Sequence, residues 1–313
     1  MSLPNTTSAD ELARSNKKFR YDLTTSLIKA IVSNNDEKVI NLLKKGANPN
    51  TVNSRLEVNI LSYCIMKNHN KVVSTFLTFK ANPNLVNPGS IGFSPLMYAI
   101  PVNLRAFQLL VKSGANLNFQ TEERYTPLYF IAKARKLNLL QFVLEHGADP
   151  NQHGYEGITP LMQSAEGDIV GLKLLLKYKA KTEITDDLGF TALIYACGLR
   201  TSSSTYEVVT CLLGAGSKPT EATINGYSVL HAAALSCPLN IVKLLIEKGA
   251  NPQAIVVGSN NTVLMEAVRG GRVTVVKYLM SLGIDKTIKD RQGRTAYDLA
   301  VKNGNTHLAN ALE

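Results

Sequence analysis

Residues 226–252 read GYSVLHAAALSCPLNIVKLLIEKGANP, and their spacing decides the fold. Ser228 carries a hydroxyl suited to capping a helix N-terminus, and Leu230, Ala232 and Ala233 give the short helix after it a small apolar face. Cys237-Pro238 ends that helix, because proline forces the residue before it out of helical backbone. Ile241, Val242, Leu244, Leu245 and Ile246 then recur at three- and four-residue steps, which predicts a second, more apolar helix. Gly249 supplies the left-handed residue that closes it, and the following Ala-Asn-Pro is turn chemistry. The unit is helix, turn, helix, projecting loop.

The same phrase returns along the whole chain. Its helix-opening position is taken by Thr25, Asn59, Ser94, Thr126, Thr159, Thr191, Ser228, Thr262 and Thr295, at intervals of 32 to 37 residues. Its closing position is taken by Gly46, Lys80, Gly114, Gly147, Lys179, Gly216, Gly249 and Gly283 on the same beat. Two signals with different physical origins share one period, the mark of a repeat architecture.

The chain therefore resembles the ankyrin-repeat family, whose unit is about 33 residues with a T-P-L-H-x-A helix start. The resemblance rests on Thr126-Pro127-Leu128, Thr159-Pro160-Leu161, Ser94-Pro95-Leu96 and Leu230-His231-Ala232-Ala233. It rests also on Gly-Ala-Asn/Asp-Pro-Asn at 46–50 and 147–151. It implies an all-α repeat solenoid of about eight helix-turn-helix-loop units and a C-terminal half-repeat. Residues 1–22 are expected as a mobile N-terminus and short capping helix. Residues 23–313 form one repeat domain, with repeats at about 23–57, 58–92, 93–124, 125–157, 158–189, 190–226, 227–260, 261–293 and 294–313. Lys80 and Lys179 replace the closing glycine, so those two turns are expected to be strained or different. Pro101 is expected to end its helix early, and Leu199 to Thr205 to form an inserted, hydroxyl-rich loop. The family's histidine position is kept only by His231, whose implied role is a hydrogen bond between neighbouring loops.

Within that frame the composition points to binding and away from catalysis. Four cysteines at irregular spacing, with no C-x-x-C, read as small buried hydrophobes; Cys197 and Cys211 are expected near each other on the two helices of one repeat. The five histidines fall in different repeats at different registers, so no metal set and no cofactor is expected. There is no G-x-S-x-G, no P-loop, no H-E-x-x-H and no Gly-rich dinucleotide loop, and the repeats leave no room for a separate catalytic domain. The first twenty residues lack the apolar core of a secretory signal, and no apolar run is long enough to span a membrane. A monomer in a cytoplasm is expected. Asparagine is abundant, and the family includes chains exported by intracellular bacteria, so an effector acting in a host-cell cytoplasm stands beside a resident scaffold.

The resemblance also says where a partner would sit: on the loop tips and inner helices, which line a concave face. The residue before each helix-opening Thr/Ser is Phe93, Tyr125, Ile158, Phe190 and Tyr227 in five successive repeats, then turns polar at Asn261 and Arg294. Large apolar groups at a position the family leaves exposed read as anchors for a protein or peptide; the alternative is that they fold onto neighbouring loops and stiffen them. Glu122, Glu123, Lys133, Tyr155, Glu156, Glu166, Leu188, Leu199 and Leu235 occupy other positions that resemble family contact sites. Their mixed signs favour a protein over a polyanion. The formal net charge of +10 keeps nucleic acid or an anionic membrane as a rival, concentrated near Arg269, Arg272, Lys277, Lys286, Lys289, Arg291 and Arg294. An enzyme with chemistry hidden on the repeat surface is the remaining alternative.

Overall fold

The computed structural model describes residues 7–53, 58–86, 92–198 and 205–313, with side chains from residue 14 onward and without that of residue 53. The chain divides into a first unit up to Phe130 and a second from Ile131.

In the first unit the helices are α1 (Thr7–Val32), α2 (Asp36–Lys44), α3 (Ile60–Met66), α4 (Asn70–Thr78), α5 (Pro95–Val102) and α6 (Leu104–Lys112), followed by the start of α7 (Pro127–Lys133). In the second they are α8 (Leu137–Glu145), α9 (Pro160–Ala165), α10 (Ile169–Lys177), α11 (Ala192–Cys197) and α12 (Thr205–Gly214). There follow α13 (Val229–Ser236), α14 (Leu239–Glu247), α15 (Val263–Arg269), α16 (Val273–Ser281), α17 (Ala296–Lys302) and α18 (Thr306–Leu312). The two helices of a repeat pack on each other in α1–α2, α3–α4, α5–α6 and from α9–α10 to α17–α18, and like stacks on like. The first helices of successive repeats meet as α9, α11, α13, α15 and α17, and the second helices as α8, α10 and α12 and as α14, α16 and α18.

Local chemistry explains where these helices begin. The side-chain oxygens of Asn59, Thr126, Thr159, Thr191, Ser228, Thr262 and Thr295 each accept from the backbone N–H three residues on, at 2.8 to 3.4 Å. That satisfies one donor the helix leaves open. Ser94 makes no such cap bond. Several second helices are capped in the same way by Asn35, Asn103, Asp168 and Asn305. The fifth residue after the opening position is Cys64, Ala99, Ser164, Ala196, Ala233, Ala267 and Ala300 in seven repeats, all buried. Small side chains there let first helices stack closely, while Leu, Ile, Val and Phe of the second helices fill the seam behind them.

Two expectations change, and a third is narrowed to one of its alternatives. Thr25 opens no helix: α1 is one helix from Thr7 to Val32, because no glycine or proline interrupts it, and Thr25 lies inside it. Pro101 sits in the last turn of α5 without ending it early; α5 continues to Val102, and Asn103 alone separates it from α6, serving as C-cap of one and N-cap of the other. The tight turn between the pair is as expected. Lys80 and Lys179 adopt the same left-handed backbone as the glycines, with φ of 64° and 65°. The following N–H groups of Ala81 and Ala180 close the turn at 2.9 and 3.0 Å, as Ala47 does after Gly46 at 3.0 Å. The turn is kept and the strain accepted. Of the inserted loop, residues 199–204 lie outside the described residues, and α12 begins at Thr205.

Candidate functional site: the projecting loops and an apolar groove

Four of the described loops between repeats share one motif. Thr121, Asp186, Thr223 and Asp290 each bond by backbone N–H to the carbonyl four residues on, at 2.9 to 3.0 Å. Their side-chain oxygens accept the N–H of that same residue: Tyr125, Phe190, Tyr227 and Arg294, at 2.8 to 3.1 Å. The residue before the cap, apolar in Tyr125, Phe190 and Tyr227 and basic in Arg294, is thus pinned through both its N–H and its carbonyl. Successive tips are tied as well, by Asp187 N–H to Glu156 O at 3.0 Å, Val257 N–H to Asn225 O at 2.7 Å and Arg291 N–H to Ser259 O at 2.9 Å. Gly157 shows why side chains are excluded there: at φ 77° its added Cβ would lie 2.8 Å from the backbone N of Asp187.

Phe93, Tyr125, Ile158, Phe190 and Tyr227 are all half-buried. In the first unit Phe93 and Tyr125 meet edge-on at 6.0 Å, and Phe130 lies 5.3 Å from Phe93 and stacks on Tyr125 at 5.2 Å. Glu122 and Glu123 are exposed on the tip beside them. In the second unit Phe190 lies 6.1 Å from Tyr227 and 6.2 Å from Tyr195, while Tyr227 stacks on His231 at 5.4 Å. One edge of these rings therefore packs on neighbouring side chains and the other remains in solvent.

Phe190 and Tyr227 open into a groove of about 720 Å³. Its walls are mainly apolar and include the expected Leu188, Leu235 and Glu166. Tyr155 and Glu156 stand on the adjoining tip, whose backbone receives Asp187 N–H. Ile158 is not part of the lining, Lys133 is exposed on α7, and Leu199 lies outside the described residues. The sequence reading missed Ile194, Tyr195 and Ile224, which complete the walls, and Ile224 is the most exposed of all at 90 %. A periodic signal existed for it: Tyr155, Leu188, Ile224 and Val257 place a large apolar group at the tip of four successive loops.

The charged side chains among the described residues lining the groove are Glu166, Asp186 and Asp187, while Arg269 acts on Tyr227 from outside the lining. The Tyr195 hydroxyl donates to Asp186 Oδ2 at 2.8 Å, and its pKa is raised by burial, by that hydrogen bond, and by the charges of Asp186, Glu166 and Glu156. Burial is also the main cause that pushes Tyr227 up to about 12. Beneath it His231 is fully buried: its Nδ1 accepts from Ser228 N–H at 3.1 Å, so Nε2 carries the proton toward Asn261 O at 3.3 Å. This is the inter-loop bond that the resemblance implied. Burial lowers its pKa to about 4.

The basic C-terminal residues are largely engaged in holding the fold. Arg269 pairs with the buried Glu266 at 2.7 Å and reaches Asn261 at 2.9 Å. Arg294 grips Asp290 through Nε and Nη2 at 2.9 and 2.7 Å, holding that carboxyl below its ordinary pKa. Arg272 bonds the carbonyls of Leu235 and Ser236, and Lys286 those of Leu312 and Glu313. Cys197 is met by the thiol of Cys237, 3.5 Å from its carbonyl oxygen, and burial is the main cause that raises the Cys211 thiol. No described helix is long and apolar enough to cross a membrane.

The family described as Ankyrin repeats (3 copies) matches overlapping stretches 27–121, 102–186, 130–223, 167–256, 199–290 and 253–312. Among curated proteins, the chain is 27 % identical over 200 residues to the Transient receptor potential cation channel subfamily A member 1 homolog of Caenorhabditis elegans, covering 63 % of the chain and 16 % of the relative. It is 26 % identical over 269 residues to Rabankyrin-5 of Mus musculus, covering 80 % and 22 %. Against the E3 ubiquitin-protein ligase KEG of Arabidopsis thaliana it is 24 % identical over 337 aligned positions, covering 89 % and 20 %. The chain thus spans about a fifth of the length of these relatives. With the helix-turn-helix-loop unit and the family match coinciding from residue 27 to residue 312, the chain belongs to the ankyrin-repeat family.

Proposed function

We propose that this chain is a non-catalytic scaffold that holds a protein or peptide partner on the face formed by its loop tips and first helices. Ankyrin repeats are generally protein–protein interaction modules and typically non-catalytic, although one relative is by name a ubiquitin ligase, of which the match covers 20 %. The reading is carried by one observation: the half-buried rings of Phe190 and Tyr227 open into an apolar groove whose rim exposes Leu188 at 69 % and Ile224 at 90 %. Hydrogen bonding and capping leave those two side chains no part in the fold, while apolar surface gathered around a concavity is what interfaces use as an anchor.

The test combines a photo-crosslinking residue at position 224, with one at position 247 on α14 as control, and the double variants Leu188→Ser/Ile224→Ser and Phe190→Ala/Tyr227→Ala. The expected outcome is a partner crosslinked from 224 and not from 247, and capture reduced at least about tenfold by either double variant, the loss of one or two buried anchors. Helix content by circular dichroism should be unchanged in the Leu188→Ser/Ile224→Ser protein. Unaltered capture by both variants sinks the assignment.

A further inference from the structure

Resting on the reading that the groove of the second unit holds a protein, we propose that its occupant is a segment in which a lysine or arginine adjoins a large apolar side chain. The apolar group sits between Phe190 and Tyr227, and the cation sits at the rim formed by Glu166 and Asp187.

Charge selects this chemistry. The chain carries 34 Lys and Arg against 24 Asp and Glu, yet the charged side chains lining the groove are Glu166, Asp186 and Asp187. Asp186 is committed to the loop, accepting from Leu188 N–H, Phe190 N–H and the Tyr195 hydroxyl. Glu166 and Asp187 also line this apolar concavity, where low-dielectric walls focus the field of carboxylates and strengthen attraction for a cation. Arg135 also reaches this rim, where its guanidinium bonds the backbone carbonyl of Glu166 at 3.0 Å at the end of α9. Phe190, Tyr195 and Tyr227 line the same groove, and an aromatic face attracts a cation. Phosphate groups would meet the opposite: carboxylates at the rim and no arginine or lysine in the described lining.

Shape sets the length. Tyr155, Leu188, Ile224 and Val257 are exposed by 37, 69, 90 and 73 % on four successive tips. Stacked repeats advance by about 8–10 Å, the distance between packed helices. Three such steps are about 25–30 Å, which about eight or nine extended residues span.

A random 12-residue display library panned against the full chain, with counter-selection on the Phe190→Ala/Tyr227→Ala protein, tests this directly. The selected sequences are expected to place Lys or Arg within a few positions of Leu, Ile, Met, Phe or Tyr. A synthetic peptide made from one of them should bind at least about tenfold more weakly when its basic residue becomes Gln. On a Glu166→Gln/Asp187→Asn protein the same exchange should cost less than about threefold, since the partner charge is gone. Groove-dependent peptides with no basic enrichment, or equal losses on both proteins, overturn the proposed chemistry and leave the docking reading standing. Failure to select any groove-dependent peptide, or groove-dependent capture of a single-stranded oligonucleotide instead, overturns both.

Discussion

Protonating His231 would require both expelling Ser228 N–H from Nδ1 and placing a charge at a site with no exposed surface. Its folded pKa of about 4 lies below the ordinary 6.5, so between those values the unfolded chain binds more protons than the folded one. The stability linked to this imidazole is fully present above pH 6.5 and is lost as pH falls toward 4, by a total of the order of 3 kcal/mol. Glu266 works in the opposite sense, since burial raises its pKa and its contribution is largest in acid. The measurement is therefore a difference: urea unfolding of the wild type and of His231→Leu from pH 7 to pH 4. The wild type should lose about 3 kcal/mol more than the variant over that interval. The position of His231 in its repeat made the bond to the next loop legible from sequence. The contact between Cys197 and Cys237 was not, because the 40 residues between them hide a neighbourhood that exists only after repeats six and seven have stacked.

At the scale of the element, the helices were legible because two codes coincide in them: a hydroxyl or amide at the cap and an apolar beat behind it. Where one code is silent, the reading slips. Thr25 stands at the right interval but inside an unbroken helical stretch, so α1 simply runs through it. Close helix stacking imposes a sharper constraint than either code. Gly270 ends α15 against α13, and an added Cβ would lie 2.0 Å from the carbonyl oxygen of Leu235. Backbone cannot swing away as a flexible side chain can, so Gly270→Ala must push the two helices apart. It should lower the stability of the second unit by at least about 2 kcal/mol, the range of overpacked cores, seen as a reduced urea midpoint. Gly271→Ala beside it, with open space around its Cβ, should show only the smaller cost of its left-handed backbone.

For the molecule as a whole, the period of the repeat was written in the sequence and the groove was not. Helix caps and seams depend on residues a few positions apart, whereas Ile194, Tyr195 and Ile224 become one wall only when neighbouring repeats are in register. The excess of basic residues near the C-terminus was legible as well, but its meaning depended on partners: Glu266, Asp290 and several carbonyls take up those cations. Stacking also predicts how the second unit fails. Leu299, Ala300, Leu308 and Leu312 of α17 and α18 are buried, and these helices pack on α15 and α16. Deleting residues 294–313 uncovers that seam, so the shortened chain should bind an apolar dye and unfold at lower urea, each lost large side chain removing roughly 1.5–3 kcal/mol. Unchanged unfolding would contradict nearest-neighbour stabilisation. The bonds that tie loop tip to loop tip, Asp187 to Glu156, Val257 to Asn225 and Arg291 to Ser259, run through backbone atoms alone. They need no side chain from the residues they join, so, Gly157 apart, the outermost side chains can be rewritten like characters on a fixed line while the line itself stays in place, which under the proposed scaffold role would change the partner recognised.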